Sequence, residues 1–289
     1  MSTQEKYINP FTDFGFKKLF GSELNKDLLV SFLNEILPVK IAELTYKKTE
    51  HLGASDLDRK VIFDLYCQND KGEKFIVELQ KARQTFFKDR ALFYSTFPIQ
   101  EQSEKGVWNY ELKAVYTVAI LDFHFDDEYK DDLKVEVKLM DTKRKSVFYE
   151  KFTFLYLQMP NFTKTEEELE TLEDKWLYLL RNLHKLQDRP ARLQEKVFSK
   201  AFETAELAKL NDTERSAYED SLKYYRDVKN SLDTAKDEGR EEGIEIGEER
   251  AAIKGIKRAL QRGKLSIEEI AEDFDVSVEF VLQVKNMIF

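Results

Sequence analysis

The chain is short of the residues that staple, chelate or anchor. One cysteine, Cys67, stands in 289 residues, so no intramolecular disulfide can form. Its place inside an apolar run reads as a buried thiol in a reducing cytoplasm. Three histidines, His51, His124 and His184, are widely separated, which leaves no ligand set for a structural zinc. No run of eighteen apolar residues occurs, so no membrane span is expected. Met1-Ser2-Thr3-Gln4-Glu5-Lys6 is not followed by an apolar stretch, so no secretory leader is expected and the location reads as cytoplasmic. Positive charge is in deficit: 46 Lys and Arg face 55 Asp and Glu, a net of −9. That balance argues against a protein that coats nucleic acid without selectivity, but it leaves room for a local basic patch.

Apolar residues are plentiful. They make up 42% of the chain, with 22 Phe and 13 Tyr, enough for one large domain or one domain with appendages. Ser22 to Leu37 carries Leu24, Leu28, Leu29, Phe32, Leu33 and Ile36 at helical spacing, and Pro38 stops it. Strand-like runs follow at Val39–Tyr46, Lys113–Phe123, Leu133–Met140 and Phe148–Leu157. The order helix, strands, helix, strands predicts an α/β core with a mixed sheet. Residues 1–6 read as a loose tail.

One hairpin carries polar groups where none are expected. Val61-Ile62-Phe63-Asp64-Leu65-Tyr66-Cys67 and Phe75-Ile76-Val77-Glu78-Leu79-Gln80 flank Asn69-Asp70-Lys71-Gly72, which is turn chemistry. The midpoint of 64 and 78 is 71, inside the turn. An antiparallel hairpin with an odd loop, Asp70 to Gly72, sets Asp64 opposite Glu78, with Cβ atoms about 4.5–5.5 Å apart. Gln80 shares their face. Two buried carboxylates cost several kcal/mol unless paired or bound to a cation. Two carboxylates with an amide oxygen suit a hard divalent ion such as Mg²⁺.

This constellation, Asp64-x13-Glu78-x-Gln80, resembles the PD-(D/E)XK nuclease superfamily, with Gln80 in the place of its lysine. The Asp then Glu-x-Gln form is similar to the Rpn-type recombination-promoting nucleases, also described as transposases. The opening Asn9-Pro10-Phe11-Thr12-Asp13-Phe14-Gly15-Phe16-Lys17-Lys18-Leu19-Phe20-Gly21 and the later Arg90-Ala91-Leu92-Phe93-Tyr94 resemble the same family. The resemblance covers roughly residues 7–185. It implies a restriction-endonuclease-like core with a mixed central sheet flanked by helices, over residues 1–165. It further implies Mg²⁺-dependent hydrolysis of DNA phosphodiesters, with Mn²⁺ as a substitute. Asp64, Glu78 and the backbone carbonyl of Leu79 are then the expected metal ligands, and Gln80 orients water or offers its amide oxygen. Asp13 resembles a family position that helps the pocket from the first helix; the alternative is a helix N-cap. No organic cofactor is implied. Asp58 ranks below Asp64, in a polar stretch. The competing reading is a weak or inactive nuclease fold serving as an interaction or DNA-binding scaffold, since the lysine is missing.

Lys81, Arg83, Lys88 and Arg90 follow Gln80 at once. If a helix starts near Lys81, they repeat at i, i+7 on adjoining faces, beside the acids, where a phosphate backbone needs cations. Lys17 is a further phosphate candidate. Downstream, residues 166–230 read as a helical extension packing on the core. In residues 231–262, Ala235, Gly239, Gly243, Gly247, Ala251, Gly255 and Ala259 place a small residue at every fourth position. Each glycine weakens a helix by about 1 kcal/mol relative to alanine. The stripe reads either as a surface for homo-oligomerisation or as a linker. Residues 263–289 open with the capping box Ser266-Ile267-Glu268-Glu269 and resemble a helix-turn-helix pair. Two lysines against six acids over 264–285 point to protein contact rather than DNA.

Overall fold

The computed structural model describes residues 5–51, 61–103, 108–125 and 127–287. Asp58 and the first four residues of the expected tail lie outside them. The chain divides into two compact units, Met1–Lys229 and Asn230–Phe289.

The first unit is built on a six-stranded sheet. Helices α1 (Asp13–Phe20) and α2 (Lys26–Ile36) come first, then strands β1 (Leu44–Tyr46), β2 (Glu50–His51), β3 (Val61–Ile62), β4 (Leu65–Asn69) and β5 (Lys74–Gln80). Helix α3 (Phe87–Gln100) leads to β6 (Val115–Leu121), β7 (Lys134–Asp141) and β8 (Ser146–Gln158). Helices α4 (Leu172–Asn182), α5 (Lys196–Ala205) and α6 (Asp212–Arg262) follow. The sheet order is β1-β4-β5-β6-β8-β7, with β5, β6 and β8 parallel and the other pairs antiparallel. This is the mixed α/β sheet flanked by helices that the sequence predicts.

Alternation decides what each face carries. Phe75, Val77 and Leu79 of β5 point into the larger core with Phe16, Phe20, Phe32 and Trp176 from the helices. Ile76 faces the other way, with Phe63 and Tyr66, onto Tyr94 and Phe97 of α3. Glu78 and Gln80 share the parity of Ile76, so they lie on the α3 face.

Two expectations need correction. Val61–Cys67 is not one strand: β3 pairs with β2 in a separate two-stranded sheet, and the chain bends at Phe63–Asp64 before β4. Phe63 is buried against Tyr66 and Tyr94, which fixes the bend. The basic helix does not start near Lys81. It starts at Phe87, the first residue able to bury against Phe123, Phe125 and Tyr156. Lys81 and Arg83 are therefore in a loop, and the expected i, i+7 pairing with Lys88 and Arg90 does not form. The boundary between the two units falls inside α6, which runs without interruption through 212–262. Among the described residues no helix is long and apolar enough to cross a membrane.

In the second unit the end of α6 packs with α7 (Ile267–Asp273) and α8 (Val278–Asn286) around Ile256, Ile270, Ala271, Val281 and Val284. Ser266 closes the capping box as the sequence predicts, and Ser277 caps α8. Part of the small-residue stripe has a local cause. A Cβ on Gly255 would lie 2.2 Å from the Phe274 ring, so only glycine fits there. Gly239, Gly243 and Gly247 face open space within 4 Å.

Candidate active site

The β4–β5 turn sets the geometry. Leu65 pairs with Val77 and Gln68 with Lys74, and Asn69 N–H donates to the Glu73 carbonyl across a loop of Asp70, Lys71 and Gly72. One further step of this register puts Asp64 against Glu78, although Asp64 itself is in the bend. Asp64 N–H donates to Glu78 Oε1 at 3.2 Å, and Leu79 N–H donates to Asp64 Oδ2 at 2.7 Å. Each acid is thus held by the backbone of the segment that carries the other. Gln80 Nε2 donates to Glu78 Oε2 at 3.4 Å. The Leu79 carbonyl points to the same side as its N–H, toward Asp64.

Both carboxyls are costly to ionise here. Burial raises the pKa of Asp64, against the Leu79 N–H bond that lowers it; Asp13 raises it further, and Lys17 and Lys81 pull it down. Burial and then the charge of Asp64 push Glu78, only 9% exposed, well above the ordinary glutamate range. The Asp64 N–H, Arg90 and Lys17 offset part of this. Among the described residues Asp64 Oδ1 accepts no hydrogen bond, and no third Asp, Glu, His or Cys joins the pair. The carboxyl groups brought together here are therefore two, Asp64 and Glu78. That donor set fits a hard cation that keeps several waters.

The surrounding cations come from different elements. Asn9 makes an Asx turn with Phe11 N–H, and Thr12, not Asp13, caps α1 by accepting from Gly15 N–H at 2.9 Å. A Cβ on Gly15 would meet the Asn9 carbonyl at 2.1 Å, so glycine is required for this close approach. The turn starts α1 at Asp13, which ion-pairs with Lys17 at 2.9 Å. Lys17 also lines a cleft of about 550 Å³ with Phe14, Lys18 and Glu214. Lys81 lies over the Tyr224 ring at 5.3 Å, and burial lowers its pKa. Arg90 donates to Gln80 Oε1 and to Gln84 Oε1. Arginine can only donate, so the Gln80 oxygen turns to Arg90 and its NH₂ to Glu78. The expected amide-oxygen ligand is thereby engaged elsewhere. Lys88 sits over Phe125 and Tyr129, and with Arg83 it borders a cavity of about 150 Å³.

Sequence reasoning laid residues 166–230 on the core as a helical extension but gave the start of α6 no part near the acids. Tyr218 Oη accepts from Asn9 N–H at 2.9 Å, and Ser221 Oγ from Phe14 N–H at 3.1 Å. Tyr225 donates to Asp122 Oδ2 at 2.8 Å, and Lys229 ion-pairs with the same oxygen at 2.7 Å. Asp122 in turn donates its N–H to the Gln80 carbonyl at 2.9 Å. The signal was present: Tyr218, Tyr224 and Tyr225 are aromatics in an otherwise charged helix.

The family model for PD-(D/E)XK nuclease family transposases matches residues 10–235. No curated protein and no solved structure matches the chain.

Proposed function

The chain belongs to the PD-(D/E)XK nuclease family transposases, and from that premise we propose that it is a Mg²⁺-dependent endonuclease hydrolysing phosphodiester bonds of DNA. The observation that carries this reading is the reciprocal bonding of Asp64 and Glu78, two ionisable groups kept close in a place that penalises their charge.

Asp64, Glu78 and the Leu79 carbonyl would hold the ion, and Mn²⁺ would substitute. When bound, the metal supplies a water of lowered pKa and neutralises charge gathering on the phosphate. The remaining work falls to the chain's own side chains. Gln80 carries no charge and does not act as a base. It fixes Arg90, whose guanidinium brings positive charge beside the position that the motif otherwise gives to lysine. Asp13 orients Lys17 through their ion pair. Lys17, Lys81, Arg83, Lys88 and Arg90 bind the DNA backbone, locally positive on a chain whose net charge is negative.

The test is plasmid cleavage by the purified protein with Mg²⁺, Mn²⁺, Ca²⁺ or EDTA, beside Glu78→Ala. Cleavage with Mg²⁺ or Mn²⁺ that disappears in EDTA and in the variant supports the reading. Cleavage that persists in Glu78→Ala, or none under any condition, rejects it.

A further inference from the structure

The hairpin of β7 and β8 runs past the rest of the sheet. β6 pairs with β8 only from Phe152 onward, so among the described residues the hairpin from Leu139 to Tyr149 has no third strand. Two-stranded ribbons are marginal alone in water. This one exposes Leu139, Met140, Val147 and Phe148, and Val137 just before it is exposed as well. Among the described residues no strand pairs with the outer edge of β7. Its eight residues stay in step: the register shifts between Lys138 and Met140 arise from extra residues on β8, not on β7.

A long, exposed, partly apolar edge is a template for another strand. The pattern of β7 suits antiparallel pairing with itself, and centring on Val137 engages more of the strand than centring on Val135, which opposes only Lys134 to Glu136 within it. In an antiparallel pair centred on Val137, each Glu136 stands opposite Lys138 of the second copy, and each Val135 opposite Leu139. Val137 meets itself on the axis. Directly opposed residues share a face, so over Val135 to Leu139 this register sets acid against base on one side and apolar against apolar on the other, with Lys134 opposite Met140 beyond them. Centring on Glu136 instead opposes Lys134 to Lys138 and Glu136 to itself. Centring on Lys138 opposes two lysines. Registers centred between residues set charged side chains against apolar ones. Within one chain Lys138 already touches Glu136 at 3.2 Å and Glu150 at 3.1 Å, so self-pairing extends an existing alternation of charge.

We propose that two copies of this chain associate through antiparallel pairing of β7 with β7 about Val137, giving a continuous sheet across the dimer. The occupant of the edge is a second copy, because the strand's charge pattern complements itself. The inference is independent of the acid pair and of the small-residue stripe on α6.

Sedimentation velocity of the full chain tests it, with Glu136→Lys, Lys138→Glu and the double exchange. The wild type is expected to dimerise with rising concentration. Each single reversal turns two attractive pairs into like-charge pairs and should weaken association by about tenfold or more. The double exchange should restore it. Val137→Arg, at an exposed site a monomer tolerates, brings two guanidiniums together and should also give monomers. Thermal melts confirm that each variant is folded. A wild type that stays monomeric at every soluble concentration overturns the proposal. So does a dimer indifferent to the single reversals, which would locate the interface elsewhere.

Discussion

At the C-terminal end of β5 the sheet buries groups that belong in water; at the hairpin of β7 and β8 it exposes groups that belong in a core. Glu78 is 9% exposed, while Phe148 is 80% exposed. The two departures are managed differently. Around Glu78 and Asp64 backbone N–H groups take up carboxylate oxygens, so the buried polar atoms are held in place. Around Phe148 and Leu139 no third strand among the described residues pairs with the ribbon. Natural sequences follow local folding rules where nothing else is asked of them, and they break them at sites with another task. The first end is suited to a small ligand that restores charge balance, the second to a surface that restores burial.

The sharpest way to break this comparison is at the acid end. Asp64→Ala or Glu78→Ala should lower DNA cleavage on the order of 10³-fold, a barrier change of about 4 kcal/mol, measured by initial rates on plasmid. Next in size is Gln80→Ala, which frees Arg90. It should cost about 10–100-fold, as for other residues that orient a reacting group, and mainly in kcat. Equal loss from KM alone would assign Gln80 and Arg90 to binding.

A smaller effect, opposite in sign, concerns stability. The Glu78 carboxyl is raised above its unfolded value of 4.5, so its ionisation counts against folding as pH rises past that value. Glu78→Gln should match the wild type in urea unfolding below about pH 4.5 and gain roughly 1–2 kcal/mol near neutral pH. Added Mg²⁺ should narrow that gap by stabilising only the wild type. At the other end, Val137→Thr and Leu139→Thr should shift monomer stability by no more than about 0.5 kcal/mol, as for exposed positions. A large loss there would mean that the ribbon is a core element after all.

The acid pair was legible because a hairpin is local: the turn at Asn69–Gly72 fixes the register, and the register fixes Asp64 against Glu78. The bend at Phe63 was not, since it depends on Tyr94 from α3. Nor was the helix start, because the six residues between Gln80 and Phe87 form loop or helix according to where Phe87 finds a pocket made by Phe123, Phe125 and Tyr156. Hence Lys81 and Arg83 were set on the wrong element, and the tie from Arg90 to Gln80 could not be foreseen. The part played by α6 spans more than 100 residues, from Tyr225 to Asp122 and from Tyr218 to Asn9, and no local pattern encodes such a distance. Of the small-residue stripe, Gly255 lies against the Phe274 ring and Ala259 packs on the small core of the second unit, while Gly239, Gly243 and Gly247 have nothing within 4 Å.

The cross-bonding of the two acids has a last consequence. Asp64 takes its hydrogen bond from the segment bearing Glu78, and Glu78 takes its own from the residue bearing Asp64. A strand slipped by two residues would keep its apolar pattern but lose both bonds together. The pair therefore works as a checksum on assembly: a copy folded in the wrong register does not bring the two carboxyls together.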